Sequence, residues 1–199
     1  AGKFSNYGKR ICTECQQGQY ANDKIAATGC ESCPSGWYGS DAIVALRIDT
    51  TGACDECGIG KYSLVEGAKS KESCIRCQPG KKASSDIGGA NAEKDACTNC
   101  LVGQYRPSRA GSDKDAATCD SCLAGYYQGD EGQGSCLPCV PGMFNDETKQ
   151  SICKNCGAGT FTDQIKQETC EDCLAGTVTA DAGMSKCQDC VPGKFAEST

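Results

Sequence analysis

CLPCVPGMFNDETKQSICKNCGAGTF, residues 136–161, holds one complete unit of this chain and the start of the next. Two cysteines enclose two residues, a glycine stands three positions after the second cysteine, an aromatic stands two positions after the glycine, and the next CxxC begins 17 residues after the first. The frame recurs throughout. Ten such pairs, Cys12/Cys15, Cys30/Cys33, Cys54/Cys57, Cys74/Cys77, Cys97/Cys100, Cys119/Cys122, Cys136/Cys139, Cys153/Cys156, Cys170/Cys173 and Cys187/Cys190, account for all 20 cysteines. The glycine is present in all ten units, from Gly18 to Gly193. The aromatic position holds Tyr20, Tyr38, Tyr62, Tyr105, Tyr127, Phe144, Phe161 and Phe195, with Lys82 and Val178 as the exceptions. Phe4 follows Gly2 at the same interval, so nine of the 12 aromatic residues sit at one point of the unit. Self-similarity at a short period defines a repeat array.

From Cys119 onward the first cysteines recur every 17 residues, and earlier units are longer by between one and seven residues. The extra residues are expected as loops on a fixed frame, within Ser35–Ala53, Gly80–Ala96 and Gly103–Thr118. The organisation expected is one continuous array over 1–199, irregular over 1–118 and regular over 119–199. Both ends fall in mid-unit, since Ala1–Asn6 resembles Val191–Ala196, and the reading is of a window from a longer array.

Composition excludes an ordinary apolar core. Ile, Leu, Val and Phe number 25 of 199 residues, about 13% and below the roughly 20% under which chains tend to disorder. Cysteine stands at the level of a disulfide scaffold, which places the chain in an oxidising, extracellular or cell-surface setting. Closing a loop of about 15 residues with a disulfide contributes roughly 3 kcal/mol, mostly by restricting the unfolded chain. Each aromatic ring is expected to lie, partly exposed, over a neighbouring disulfide. Secondary structure should be strands of two to four residues with little helix. Ala42–Ile48 (AIVALRI) is the one candidate for a longer strand or an apolar contact patch, through Ile43, Val44 and Leu46.

The net charge of −6, with no histidine, is the wrong sign for nucleic acid. The acidic residues are scattered, as on a solvated surface, with calcium binding as the other reading. No apolar run approaches the roughly 20 residues of a membrane helix. Without histidine, and without a nucleophile elbow, a phosphate loop or paired carboxylates, the chain carries no recognisable catalytic machinery, and neither cofactor nor catalytic residue is expected. Pairs of CxxC separated by 13 to 20 residues do overlap the spacing of four-cysteine zinc sites. A dithiol redox centre needs a helical setting that ten copies lack. Trp37 and Tyr126, aromatic residues beyond the repeat's own, are the contact candidates.

The unit, as in CESCPSGWY (30–38), CLPCVPGMF (136–144) and CQDCVPGKF (187–195), resembles the ephrin-receptor-like cysteine-rich repeat. It is also similar to the cysteine-rich modules of tumour necrosis factor receptors, without their additional cysteines. That resemblance implies a ladder in which the second cysteine of one pair bonds to the first of the next: Cys15 with Cys30, Cys33 with Cys54, Cys57 with Cys74, Cys77 with Cys97, Cys100 with Cys119, Cys122 with Cys136, Cys139 with Cys153, Cys156 with Cys170 and Cys173 with Cys187. Cys12 and Cys190 then take partners outside the window. Five closed units with crossed bonds, such as Cys12 with Cys30 and Cys15 with Cys33, are the alternative, and sequence alone leaves connectivity open.

The fold expected is therefore a small disulfide-rich repeat, stacked into an elongated rod with each unit contacting mainly its neighbours. The function expected is that of a structural component of an extracellular or cell-surface assembly, a filament, coat or matrix, whose partners are other protein chains, neighbouring copies included. The alternatives are the ligand-binding ectodomain of a receptor or adhesin and an intracellular zinc-binding scaffold.

Overall fold

Each repeat begins with a turn that only its glycine permits. In the computed structural model, which describes residues 2–5, 11–23, 26–41, 47–84, 88–108 and 118–194, the Met143 N–H donates to the Val140 carbonyl at 3.0 Å. Gly142 lies between them at φ 84°. Pro141 before it fixes a negative φ, and the combination is a type II turn, whose third residue must have positive φ. All ten repeat glycines, Gly18 to Gly193, have φ between 69° and 87°.

The turn sends the chain into a very short strand, and the return strand is the pair of residues inside the next CxxC. Met143–Phe144 pairs antiparallel with Lys154–Asn155, Thr160–Phe161 with Glu171–Asp172, and Thr177–Val178 with Gln188–Asp189. Ten two-stranded sheets are formed among the described residues. Their strands are two or three residues long, and helix is confined to single turns. The fold is that of small disulfide-rich repeats.

Strand geometry also explains what the two cysteines of a pair do. Residues three apart in an extended segment point to opposite faces. One sulfur of each CxxC therefore faces the preceding unit and the other the following one. The bonds formed are Cys15–Cys30, Cys33–Cys54, Cys57–Cys74, Cys77–Cys97, Cys100–Cys119, Cys122–Cys136, Cys139–Cys153, Cys156–Cys170 and Cys173–Cys187, the pairs of the receptor-module ladder. Cys12 and Cys190 are free thiols, the first exposed and the second half-buried.

A backbone ladder accompanies the sulfur one. The amide of every second cysteine donates to the carbonyl of the preceding repeat's glycine, as Cys139 to Gly125 at 2.9 Å and Cys156 to Gly142 at 2.9 Å. A further layer reaches two repeats away, beyond the nearest-neighbour contact expected of a stacked array. Ahead of the next CxxC, the chain passes through one left-handed residue: Gly67, Gly89, Gly132, Lys149, Lys166 or Gly183. Its amide donates to the second cysteine of the preceding repeat, as Lys149 to Cys122 at 2.8 Å and Gly183 to Cys156 at 2.8 Å. Its carbonyl lies on the turn glycine two repeats back, where an added Cβ on Gly103 would stand 2.1 Å from the Lys149 oxygen and one on Gly142 would stand 2.1 Å from that of Gly183.

Lys149 and Lys166 hold this conformation, at φ 64° and 66°, in a place that four other repeats give to glycine. The left-handed region costs a residue with a Cβ roughly 1–2 kcal/mol, against roughly 0.5–1 kcal/mol of backbone entropy lost by glycine. Lys149→Gly is thus expected to stabilise the protein by up to about 1 kcal/mol. A rise in the thermal midpoint is the readout. A fall would show that the lysine stem, whose Cγ lies 3.2 Å from a Cβ placed on Gly103, contributes more by packing than it costs in strain.

Two units make up the chain by packing. The first comprises Ala1–Gln78, Lys82–Thr98 and Ala110–Thr118, and the second Pro79–Lys81, Asn99–Arg109 and Cys119–Thr199. In the first, the longer loops end in one-turn helices, Thr50–Ala53 and Glu93–Ala96, each running directly into a cysteine. Asp49 caps the former, accepting from the Gly52 amide at 3.0 Å. Their last residues, Ala53 and Ala96, are buried against Cys33 and Cys54 and against Cys77 and Cys97 respectively. Tyr20 packs on the first of these clusters and Tyr62 belongs to the second, so each of these rings lies over the disulfide of the following repeat. Inserted residues near the cysteines therefore complete a core. Of the AIVALRI segment, Arg47 and Ile48 form a turn, and residues 42–46 lie outside the described residues.

Candidate interaction surface

With most sulfurs and turn amides committed to neighbouring repeats, what remains for function is side chains. The position after the aromatic is the first to examine, because it is the most buried place outside the cysteines. It is buried at Ala21, Gly39, Ser63, Ala83, Gln128, Asn145, Thr162 and Thr179 and half-buried at Ser5 and Arg106. Polar residues are tolerated there because the surrounding backbone bonds them. The Asn145 Nδ2 donates to the Tyr126 carbonyl at 2.8 Å, and Thr179 Oγ1 accepts from the Gly159 amide at 2.8 Å. Their own carbonyls accept from the turn glycine of the preceding repeat, as Asn145 from Gly125 at 2.8 Å. Aligning the repeats on their glycines reveals small or polar residues there, the one sequence signal for this position.

Trp37 is half-buried and packs against the Cys33, Ala53 and Cys54 cluster, so part of its ring is already engaged. Tyr126 is half-buried too, with the Lys166 Nζ 5.5 Å from its ring centroid. Tyr126 lines a concavity of about 320 Å³ together with Tyr105, Leu123, Ser135 and Cys136, all within the second unit. Ile43, Val44 and Leu46 lie outside the described residues. Leu123, which the sequence did not single out, is 67% exposed.

Cross-strand pairs set the local electrostatics. The Tyr20 hydroxyl donates to Glu31 at 2.9 Å; burial, then that bond and the carboxylate charge, raise its pKa above the usual tyrosine value. Tyr38 is raised as well, by burial and then by the carboxylates of Asp55, Asp41 and Glu72. Lys154 meets Asp146 at 2.6 Å, holding that carboxyl below its ordinary range and the ammonium above its own. Both partners are exposed, so the pair adds little to stability. Charge is uneven along the chain: residues 119–199 carry five Lys and Arg against 12 Asp and Glu, net −7, and residues 1–118 carry net +1.

The bonded cysteines offer no thiolate for a metal, and no group of three or more ligating side chains occurs among the described residues. Alkylation of the native, unreduced protein is expected to label two cysteines, Cys12 and Cys190, and all 20 after reduction. Wholesale labelling without reductant would show that the ladder is not formed.

Residues 110–152 and 142–190 each match the family model described as tyrosine-protein kinase ephrin type A/B receptor-like. These residues are thus similar to ephrin-receptor-like cysteine-rich repeats. The same frame of CxxC, turn glycine and cross-bonded neighbour continues through the described residues before them. The ephrin-receptor-like module is a receptor-like cysteine-rich domain and not a catalytic family, and together with the disulfides it points to an extracellular interaction module. No helix among the described residues is long and apolar enough to cross a membrane. A comparison with curated proteins gave no match.

Proposed function

We propose that the chain is a structural component of an extracellular or cell-surface assembly, a filament, coat or matrix, and that its partners are other protein chains, neighbouring copies included. The observation that carries this reading is where the binding capacity of each repeat goes. Cysteines, turn glycines and the buried polar position are committed to the repeats before and after. Large apolar side chains are left exposed at recurring places, a surface suited to lying against other chains. The whole of 1–199 acts as one array in this reading, with the regular repeats from residue 119 supplying a uniform face.

The second reading is the ligand-binding ectodomain of a receptor or adhesin, favoured by the family description and by the concavity at Tyr126. Amine-reactive cross-linking on the intact native surface separates the two. The assembly reading expects the chain in multi-chain products, with links from lysines in 47–84 and 88–108 to proteins that stay with the insoluble surface. Links confined to a freely soluble ligand would replace it with the receptor reading. Free thiols with stoichiometric zinc in the native protein would overturn both.

A further inference from the structure

One repeat position is apolar without a structural reason to be. Leu101, Leu123, Val140, Leu174 and Val191 each directly follow the second cysteine, and they are 56, 67, 53, 80 and 64% exposed. Their carbonyls accept the turn hydrogen bond, as Leu123 does from the Tyr126 amide at 3.1 Å, but their side chains are left to solvent. Gln16, Gly58 and Gly157 occupy the same place in other repeats and close the same turn, at 3.0, 3.0 and 3.1 Å. Folding is therefore satisfied by a polar residue or by none, and the leucines and valines of the later repeats answer to something else.

Leu123 stands beside a formed recess. The cavity it lines with Tyr105, Tyr126 and Ser135 measures about 320 Å³. Its wall is held by Gln128, whose buried Nε2 donates to the Ser135 carbonyl at 2.8 Å and whose Oε1 accepts the Asp130 amide at 3.0 Å. Asp120 is the cross-strand partner of Tyr105, and the repeat that holds Leu123 and Tyr126, residues 119–135, carries Asp120, Asp130 and Glu131 with no lysine or arginine, against the Lys166 ammonium that a later repeat places 5.5 Å from the Tyr126 ring. An apolar recess set in an acidic surface selects for its opposite: an apolar side chain flanked by positive charge, since complementary potentials steer encounter and a buried apolar anchor supplies the affinity.

We propose that the face built from Tyr105, Leu123 and Tyr126 docks a basic polypeptide segment that inserts one large apolar side chain into the recess. This rests on the reading that the partners are protein chains, and specifies the chemistry of one of them.

The test uses the full oxidised chain, isotope-labelled for NMR, with three short synthetic peptides of equal length: lysine-rich with leucines, lysine-rich with serines in place of the leucines, and glutamate-rich with the leucines kept. The first should perturb the amides of Tyr105, Leu123, Tyr126 and Ser135, and bind about tenfold or more tightly than either of the others. Leu123→Asn should weaken it by about tenfold. Because Leu123 is exposed, that variant should keep its nine disulfides, which intact mass verifies. Equal binding of both lysine peptides would reduce the effect to bulk acidity and overturn the proposal, as would perturbation away from the recess or indifference to Leu123→Asn. Should the peptides fail while cross-links to surface proteins persist, the assembly reading stands on another face. Peptide binding with cross-links only to a soluble ligand would keep this face and discard the assembly.

Discussion

Replacing Gly142 by alanine is expected to cost about 2–5 kcal/mol, and the same change at Gly176 only about 1–2 kcal/mol. Both glycines hold positive φ, 84° and 87°, so both variants meet the left-handed penalty of roughly 1–2 kcal/mol. They differ in what covers them. A Cβ on Gly142 would stand 2.1 Å from the Gly183 carbonyl oxygen and 2.7 Å from its carbon, a clash with backbone that no rotamer relieves, whereas a Cβ on Gly176 meets nothing within 4 Å. Overpacking of this kind typically adds 1–3 kcal/mol. The variants should separate clearly in thermal unfolding, and Gly142→Ala should also speed amide exchange at Gly183, whose N–H bonds the Cys156 carbonyl at 2.8 Å. Equal costs at the two sites would mean that the layer two repeats away carries no stability.

This layer marks the boundary of what the sequence discloses. Ten glycines in constant register with ten CxxC pairs announce a turn and a repeated staple, because a positive-φ turn and a disulfide each admit almost one residue type. Short strands follow from the same frame. The left-handed residue ahead of the next pair is harder to see: in the last four loops it is Gly132, Lys149, Lys166 and Gly183, and a lysine in that conformation has no signature. Burial of Asn145 and Gln128 is hidden for another reason. They are polar, and their burial depends on carbonyls and amides brought close by neighbouring hairpins. Trp37 reads from sequence as a surface anchor, yet Ala53, delivered by a one-turn helix inside an inserted loop, gives part of its ring a place to pack. The apolar recess at Leu123 requires the fold, since Tyr105 and Tyr126 stand in different repeats.

Removal of one rung should be felt two repeats away. Cys139→Ser with Cys153→Ser opens a disulfide spanning 14 residues, for a loss of about 3 kcal/mol from loop entropy alone. In a simple stacked array the damage would stop at the adjoining units. Here the opened loop contains Lys149, whose carbonyl covers Gly103, and Gln150, whose carbonyl accepts the Gln128 amide at 3.0 Å. Loosening it should raise amide exchange at Gln128 and also at Gln104, the residue closing the Gly103 turn, although Cys100–Cys119 and Cys122–Cys136 stay intact. The turn amide of Thr177, bonded to Leu174 at 2.9 Å, uses nothing from the opened loop and should keep its protection. Exchange rising at Gln128 but not at Gln104 would confine coupling to nearest neighbours. Exchange rising at both would make each repeat's stability depend on a loop two disulfides further along, so that a local reduction loosens a stretch of the array, with the face around Tyr105 and Leu123 among the first parts to lose its shape.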